Sequence, residues 1–355
     1  QVYFMITLTT SISKGWFHQE GGFTFEERYY LDPLYRLEQD RMMDSFVAAR
    51  FPDYGIYNLE SNLVQIDHLQ TNQVLVGGLQ PNLILSACLG GDFLFYPKYD
   101  ADVEGAPLAG INTVDELPLP ASFLDHPLIK TFDEQIRLLQ VQRPDLRVIP
   151  PFFWDTSGRA TIHGFVTTSF KLYGTDIFLQ VVQNPDFVSD FHAWITEVYV
   201  LLIKHYSALA DLSVTSVHIG ECSGTMINPQ HYEKQVIPFA SRMGHELGPV
   251  RMHTCGRSDH LLDALTQIEN LQVLDTGSGT SVAAIRQKFG PEFQIDLAPP
   301  LDVLLKTATE SDLIAWLDQV LDENEGGPLQ LGLHYEPGYS LANCLLLHDE
   351  LARRG

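Results

Sequence analysis

His253, Thr254, Cys255 and Gly256 follow directly on the apolar run Val250-Arg251-Met252. In an extended segment residues i and i+2 point the same way, so His253 and Cys255 can face one ion. Imidazole nitrogen and thiolate sulfur are preferred zinc ligands, at about 2.0–2.3 Å. Gly256 would let the backbone turn sharply into whatever follows. A His and a Cys two residues apart also arise by chance, so the spacing gains meaning only from the elements that present it.

Those elements read as a succession of strand and helix patterns. The runs Leu83–Ala87, Arg147–Ile149, Val214–Ile219, Val250–Met252, Leu271–Leu274, Phe293–Leu297 and Leu329–Leu333 look like strands. Amphipathic helical patterns lie between and around them. They cover Phe132–Leu139, Asp186–Ala208, Asn228–Leu247, Ser258–Ile268, Ser281–Phe289, Leu301–Thr307, Glu310–Glu323 and Leu341–Arg354. Alternation of this kind marks βα units and a parallel sheet. Pro229 suits the first helical position with Asn228 as its cap, and Gly290 suits a helix end.

The expectation is an α/β chain forming a single (β/α)8 TIM barrel over residues 1–355. Residues 1–80 are expected as an N-terminal extension packing on it. In such a barrel the C-terminal strand ends carry the chemistry. Glu221, His253, Asp275, Asp296 and His334 all fall at or near such ends. Closure of the barrel would bring them to one mouth. Asp275 and Asp296 could act as acid–base groups, could orient a histidine, or could cap helices. Glu221 could instead pair with Arg251. Cys222 follows Glu221 directly, so it is expected to point away from an ion held there. Cys344, on an apolar helix face, and Cys88 read as small core hydrophobes.

Composition bounds the function. The 355 residues are 45% hydrophobic and 19% charged, ample for a large core. A net charge of −23 argues against nucleic acid or an anionic membrane as partner. Four irregularly spaced cysteines in so long a chain do not suggest a disulfide framework. Residues 1–10 lack the pattern of a secretory signal, so a cytoplasmic location is expected.

A longer pattern surrounds the His–Cys pair. Cys222-Ser-Gly-Thr-Met-Ile-Asn-Pro leads into a helix with Val236-Ile237-Pro238 and then to His-Thr-Cys-Gly. Further on stand Asp275, Gln294-Ile295-Asp296-Leu297 with Pro299 and Pro300, and Leu331-Gly332-Leu333-His334. Upstream is Leu172-Tyr173-Gly174. Over residues 145–355 this resembles the uroporphyrinogen decarboxylase superfamily, whose fold is a (β/α)8 barrel. True decarboxylases of that family carry an Arg-rich segment near the N-terminus. The corresponding stretch here, Trp16 to Phe23, has no Arg and includes Glu20. The chain is closer to the other branch, the zinc methyltransferases that work with corrinoid proteins.

The resemblance implies a zinc site. Its ligands would be His253, Cys255 and a third group at the end of the last strand, where this chain has His334 rather than the usual Cys. Cys344 is the alternative third ligand, and Glu221 the candidate fourth. Tyr173 matches a tyrosine at the family's barrel mouth that could bind substrate. His18, Trp16 and Phe23 could line the same pocket. The implied activity is transfer of a methyl group between a small molecule, such as a methyl ether or a thiol, and the cobalamin of a separate corrinoid protein. No corrinoid-binding "D-x-H-x-x-G" motif is present, so cobalamin would come on a partner. The alternative is a metal-independent decarboxylase or lyase acting on a small carboxylic acid, with Arg159, Lys171 or Arg257 as its cations.

Overall fold

A computed structural model describes residues 6–57 and 72–354. Its strands, in chain order, are β1 (Thr7–Ile12), β2 (Ile56–Tyr57), β3 (Gln73–Leu75), β4 (Phe93–Leu94), β5 (Asp102–Val103) and β6 (Arg147–Ile149). They continue with β7 (Arg159–His163), β8 (Ser216–Gly220), β9 (Val250–Thr254), β10 (Leu271–Gly277), β11 (Gln294–Ala298) and β12 (Leu329–Tyr335). One sheet runs in the order β2-β1-β12-β11-β10-β9-β8-β7. Every pairing in it is parallel. Seven of these strands have five to seven residues, and β2 has two. The seven curl into the wall of a TIM-like barrel.

β3 and β6 form a separate parallel pair. The backbone just past β6 meets β7 through Thr161 N–H to Phe152 O and Trp154 N–H to Arg159 O. Among the described residues the ladder stays open between β2 and β3. The first strand among the described residues is β1, which sits inside the sheet between β12 and β2. The N-terminal segment thus supplies part of the barrel wall as well as helices outside it.

Alternation along the strands sorts polar from apolar groups. In β9, Val250, Met252 and Thr254 are buried while Arg251 and His253 are less so. In β12, Leu329, Leu331, Leu333 and Tyr335 are buried and Gln330 and His334 are less so. The apolar set packs against the surrounding helices, as the strand period of two requires. Neighbouring strands are in register, so His163, Gly220, His253, Asp275 and Asp296 stand side by side across β7 to β11.

Several helices start as the sequence suggests. The Asn228 side chain accepts from His231 N–H ahead of Pro229, and Ser281 caps Val282–Phe289. The helix expected over Asn228–Leu247 is two, Pro229–Gln235 and Ile237–Leu247, because Pro238 breaks the continuous ladder. Ser258–Ile268 reduces to a 3-10 turn, Asp259–Leu261, and one helical turn, Leu262–Leu265. Ser258 does not cap it through its side chain.

Leu83–Ala87 is not a strand. It lies in the helix Pro81–Cys88, opened by Pro81. Leu83, Ile84, Leu85 and Ser86 are all buried, and a short apolar run buried on every side shows neither period. No helix among the described residues is long and apolar enough to cross a membrane.

Candidate metal centre

His253 is placed by β9 and Cys255 by the residues just beyond it. Gly256 then takes φ +63°, with open space where a Cβ would be, so only its backbone conformation demands glycine. His253 Nε2 lies 3.1 Å from Cys255 Sγ. Cys255 Sγ lies 2.8 Å from Cys222 Sγ. One ligand atom from each of Cys222, His253 and Cys255 falls within 4.8 Å of the other two.

Cys222 was expected to point away. The alternation argument fails for it because β8 ends at Gly220. Cys222 has φ −61° and ψ −46°, a helical conformation that swings its thiol back towards Cys255. Cys255 is exposed and Cys222 half-buried, so the cluster faces the mouth.

The histidine is held from behind. His253 Nδ1 is 2.7 Å from Asp275 Oδ2, which makes Nδ1 the proton-bearing nitrogen and turns Nε2 to the sulfurs. The same Asp275 oxygen is 3.0 Å from Arg251 Nη1. Arg251 also donates from Nε, at 2.9 Å, to Asp296 Oδ2, and is 2.8 Å from His218 Nδ1. Gln294 donates to the other Asp296 oxygen at 2.9 Å. Asp296 is therefore a partner of Arg251 and Gln294 inside the barrel, and Asp275 orients the histidine.

The electrostatics follow from these contacts. Burial pushes the His253 imidazole down, but the Asp275 carboxylate outweighs it and lifts the group to about 10. Burial would raise Asp275, yet Arg251 and His253 hold it below the usual carboxylate range. The contact with Cys222, together with His253, brings the Cys255 thiol down to about 5. The same contact, with burial, pushes Cys222 up. Of the two sulfurs, Cys255 is the more exposed.

Glu221, expected as a ligand and as a catalytic group, is neither in this arrangement. It is fully buried, and its carboxylate caps the helix Phe165–Tyr173. One oxygen accepts from Val166 N–H at 3.1 Å. The other accepts from Thr167 N–H at 3.0 Å and from Thr167 Oγ1 at 2.9 Å. Gly164 makes room: a Cβ there would stand 2.3 Å from Glu221 Oε2. Nor does Glu221 pair with Arg251.

His334 also lies apart from the cluster. β10 and β11 separate β12 from β9, and His334 stands in register with Ser11 of β1. Its Nδ1 is 2.6 Å from Ser11 Oγ, and its Nε2 is 3.5 Å from Glu336. Burial lowers it to about 4, so it is a neutral imidazole. It lines a cleft of about 690 Å³ together with Lys14, Lys98, Asp100, Asp102 and Lys171. Within this cleft Lys14 pairs with Asp100 at 2.6 Å.

The remaining expected site residues are engaged in contacts outside the cluster. Tyr173 is buried, its hydroxyl donates to Ile111 O at 3.1 Å, and its ring packs on Phe187. Trp16 is buried among Phe17, Phe46, Phe51 and Tyr335. Phe23 packs on Phe17 and Phe46, and His18 Nδ1 is 2.8 Å from Phe23 O. Neither Trp16, His18 nor Phe23 lines the cleft. Cys344 is buried on the closing helix and takes no part in the cluster.

His163, unremarked in the sequence, ends β7 at the level of His253. Its Nδ1 is buried and has no hydrogen-bond partner among the described residues. The strand-end rule that singled out His253 applies equally to it.

Two thiols and an imidazole backed by a carboxylate are a donor set that fits zinc. The exposed side of Cys255 leaves a direction from which a further ligand can approach. Three protein ligands and one open position are the arrangement of catalytic rather than structural zinc.

Comparison with known proteins bears on the fold and the family. A search of curated proteins gives no match. Among solved structures, a methyltransferase from Methanosarcina mazei superposes with a TM-score of 0.64 at 14% identity. The match covers 99% of this chain and 94% of that one. The sequence pattern of the uroporphyrinogen decarboxylase (URO-D) family matches residues 161–343, which hold the strands β8 to β12 and the whole cluster. That span is more than half of the chain, and the chain belongs to the uroporphyrinogen decarboxylase family.

Proposed function

We propose that this chain is a zinc-dependent methyltransferase. It would move a methyl group between a small molecule and the cobalamin of a separate corrinoid protein. The observation that carries the reading is the convergence of Cys222, His253 and Cys255, with Asp275 behind the histidine. The likeness of fold to the Methanosarcina mazei methyltransferase supports it.

Cys222, His253 and Cys255 would hold the ion. Bound there, zinc supplies a Lewis acid that keeps an incoming thiol deprotonated or polarises an ether oxygen. Asp275 keeps the proton on His253 Nδ1 and leaves Nε2 free for the ion. Arg251 holds Asp275 in place. A His–Cys–His set would have made a harder site, suited to an ether oxygen. Two thiolates make it softer and more electron-rich, which suits a small thiol as the methyl-accepting partner.

The decarboxylase reading is weaker. A carboxylate substrate needs cations at the mouth, and the three that the sequence offered for it are each paired. Arg159 is engaged by Asp155, Lys171 by Asp102, and Arg257 by Asp259.

The test is methyl transfer from free methylcobalamin to small thiols, followed by the loss of the methylcobalamin absorbance. Zinc-loaded wild type should turn over, and Cys255→Ala should not. Turnover unchanged in Cys255→Ala would contradict the reading.

A further inference from the structure

The two sulfurs of the cluster are 2.8 Å apart. That distance lies between two states. Two thiolates on one tetrahedral zinc, at about 2.3 Å each, sit about 3.8 Å from one another. Two sulfurs in a disulfide sit about 2.05 Å apart. From the present arrangement either state changes the separation of the sulfurs by about 1 Å or less. The two states exclude one another, because each uses the same sulfurs.

The surroundings permit the closing step. Cys255 is exposed at the mouth, so a small oxidant can reach it. Cys222 Sγ, 2.8 Å away, can serve as the resolving thiol. The other two cysteines make no such pair: Cys88 is half-buried and Cys344 buried.

We propose that Cys222 and Cys255 form a reversible disulfide when the site is free of metal, and that the bound ion and the disulfide compete for the pair. The oxidant is a hydroperoxide. The Cys255 thiolate attacks one peroxide oxygen, the O–O bond breaks, and hydroxide leaves. The resulting sulfenic acid is attacked by the Cys222 sulfur, the S–O bond breaks, and water leaves. Two thiols and one hydrogen peroxide give one disulfide and two waters. Oxidised protein has lost two of the three donors and cannot hold the ion. A dithiol reductant restores both thiols and with them the site. This regulation rests on the metal reading for its consequence, while the disulfide itself does not.

The experiment treats the full-length protein with a chelator, then with a small excess of hydrogen peroxide. Free thiols are counted, and peptides are mapped without reduction. The count should fall from four to two, with Cys222 joined to Cys255 and with Cys88 and Cys344 still thiols. Protein preloaded with zinc should keep four thiols at the same peroxide dose. Oxidised protein should take up zinc only after dithiothreitol. In Cys222→Ser, Cys255 should proceed instead to sulfinic acid, which dithiothreitol does not reverse. Four thiols remaining in the metal-free wild type, or sulfinic acid at Cys255 with Cys222 still free, would overturn the proposal. A disulfide that forms equally fast with and without zinc would overturn the competition. Failure of reduced protein to bind zinc at all would instead count against the metal reading, with the thiol count still deciding the disulfide.

Discussion

Asp275 Oδ2 stands between two N–H donors, 2.7 Å from His253 Nδ1 and 3.0 Å from Arg251 Nη1. One carboxylate oxygen thereby ties the interior of the barrel to the cluster at its mouth. β9 presents Arg251 and His253 two residues apart on the same face, and β10 presents Asp275 beside them in register.

Asp275→Asn keeps the shape but removes the charge that fixes the His253 proton. Zinc affinity should fall by about 10–100-fold, the usual effect of removing such a supporting group. Competition with a chromophoric chelator measures it. An affinity unchanged from wild type would mean that Asp275 does not support the ligand.

Arg251→Met removes the cation shared by Asp275 and Asp296. Two carboxylates would be left in the barrel without their main partner, and the protein should lose about 3–5 kcal/mol of stability. Chemical denaturation of metal-free protein reads this directly. A loss below about 1 kcal/mol, the worth of an exposed ion pair, would show that the network is solvated.

Glu221 should matter for folding and not for metal. Gly164→Ala would push a Cβ to 2.3 Å from Glu221 Oε2 and 2.8 Å from its Cα, where backbone has to give. Overpacking of this kind costs about 1–3 kcal/mol. Zinc content of the folded fraction should be unchanged.

The same carboxyl carries a pH signature. Burial, opposed by the hydrogen bonds from Thr167 and Val166, raises Glu221 from an ordinary 4.5 to about 7. A carboxyl raised in the folded state contributes stability fully below its unfolded value and loses it as pH rises through the folded one. The stability of wild type relative to Glu221→Gln should therefore decline between pH 4.5 and about 7. Parallel stability profiles for the two proteins would contradict this.

How much of this was legible in the sequence depends on where each residue stands relative to a strand end. His253 and Cys255 were readable because they continue the period of β9. Arg251 was readable by the same period, two residues before His253, but as a partner for Glu221; the structure gives it Asp275 and Asp296 instead. Cys222 was not readable, because past Gly220 the backbone leaves the extended conformation and alternation no longer says where a side chain points. Glu221 and His334 were placed at the correct strand ends, but neither faces the cluster. Glu221 is drawn to unpaired helix N–H groups, and His334 sits three strands away at Ser11. The later strands β8 to β12 were legible from their spacing. In the first half, β1 went unnoticed, and the buried helix Pro81–Cys88 has the same apolar run as a buried strand.

The identity of the third ligand decides the account. Metal content per chain is measured by mass spectrometry on wild type, Cys222→Ser, Cys255→Ser and His334→Ala, each checked for folding by circular dichroism. The structure predicts about one zinc per chain in wild type and His334→Ala, the open three-ligand site expected of catalytic zinc, and loss of it in both serine variants. Zinc kept by Cys222→Ser and lost from His334→Ala would contradict the central claim and return the third ligand to the end of β12.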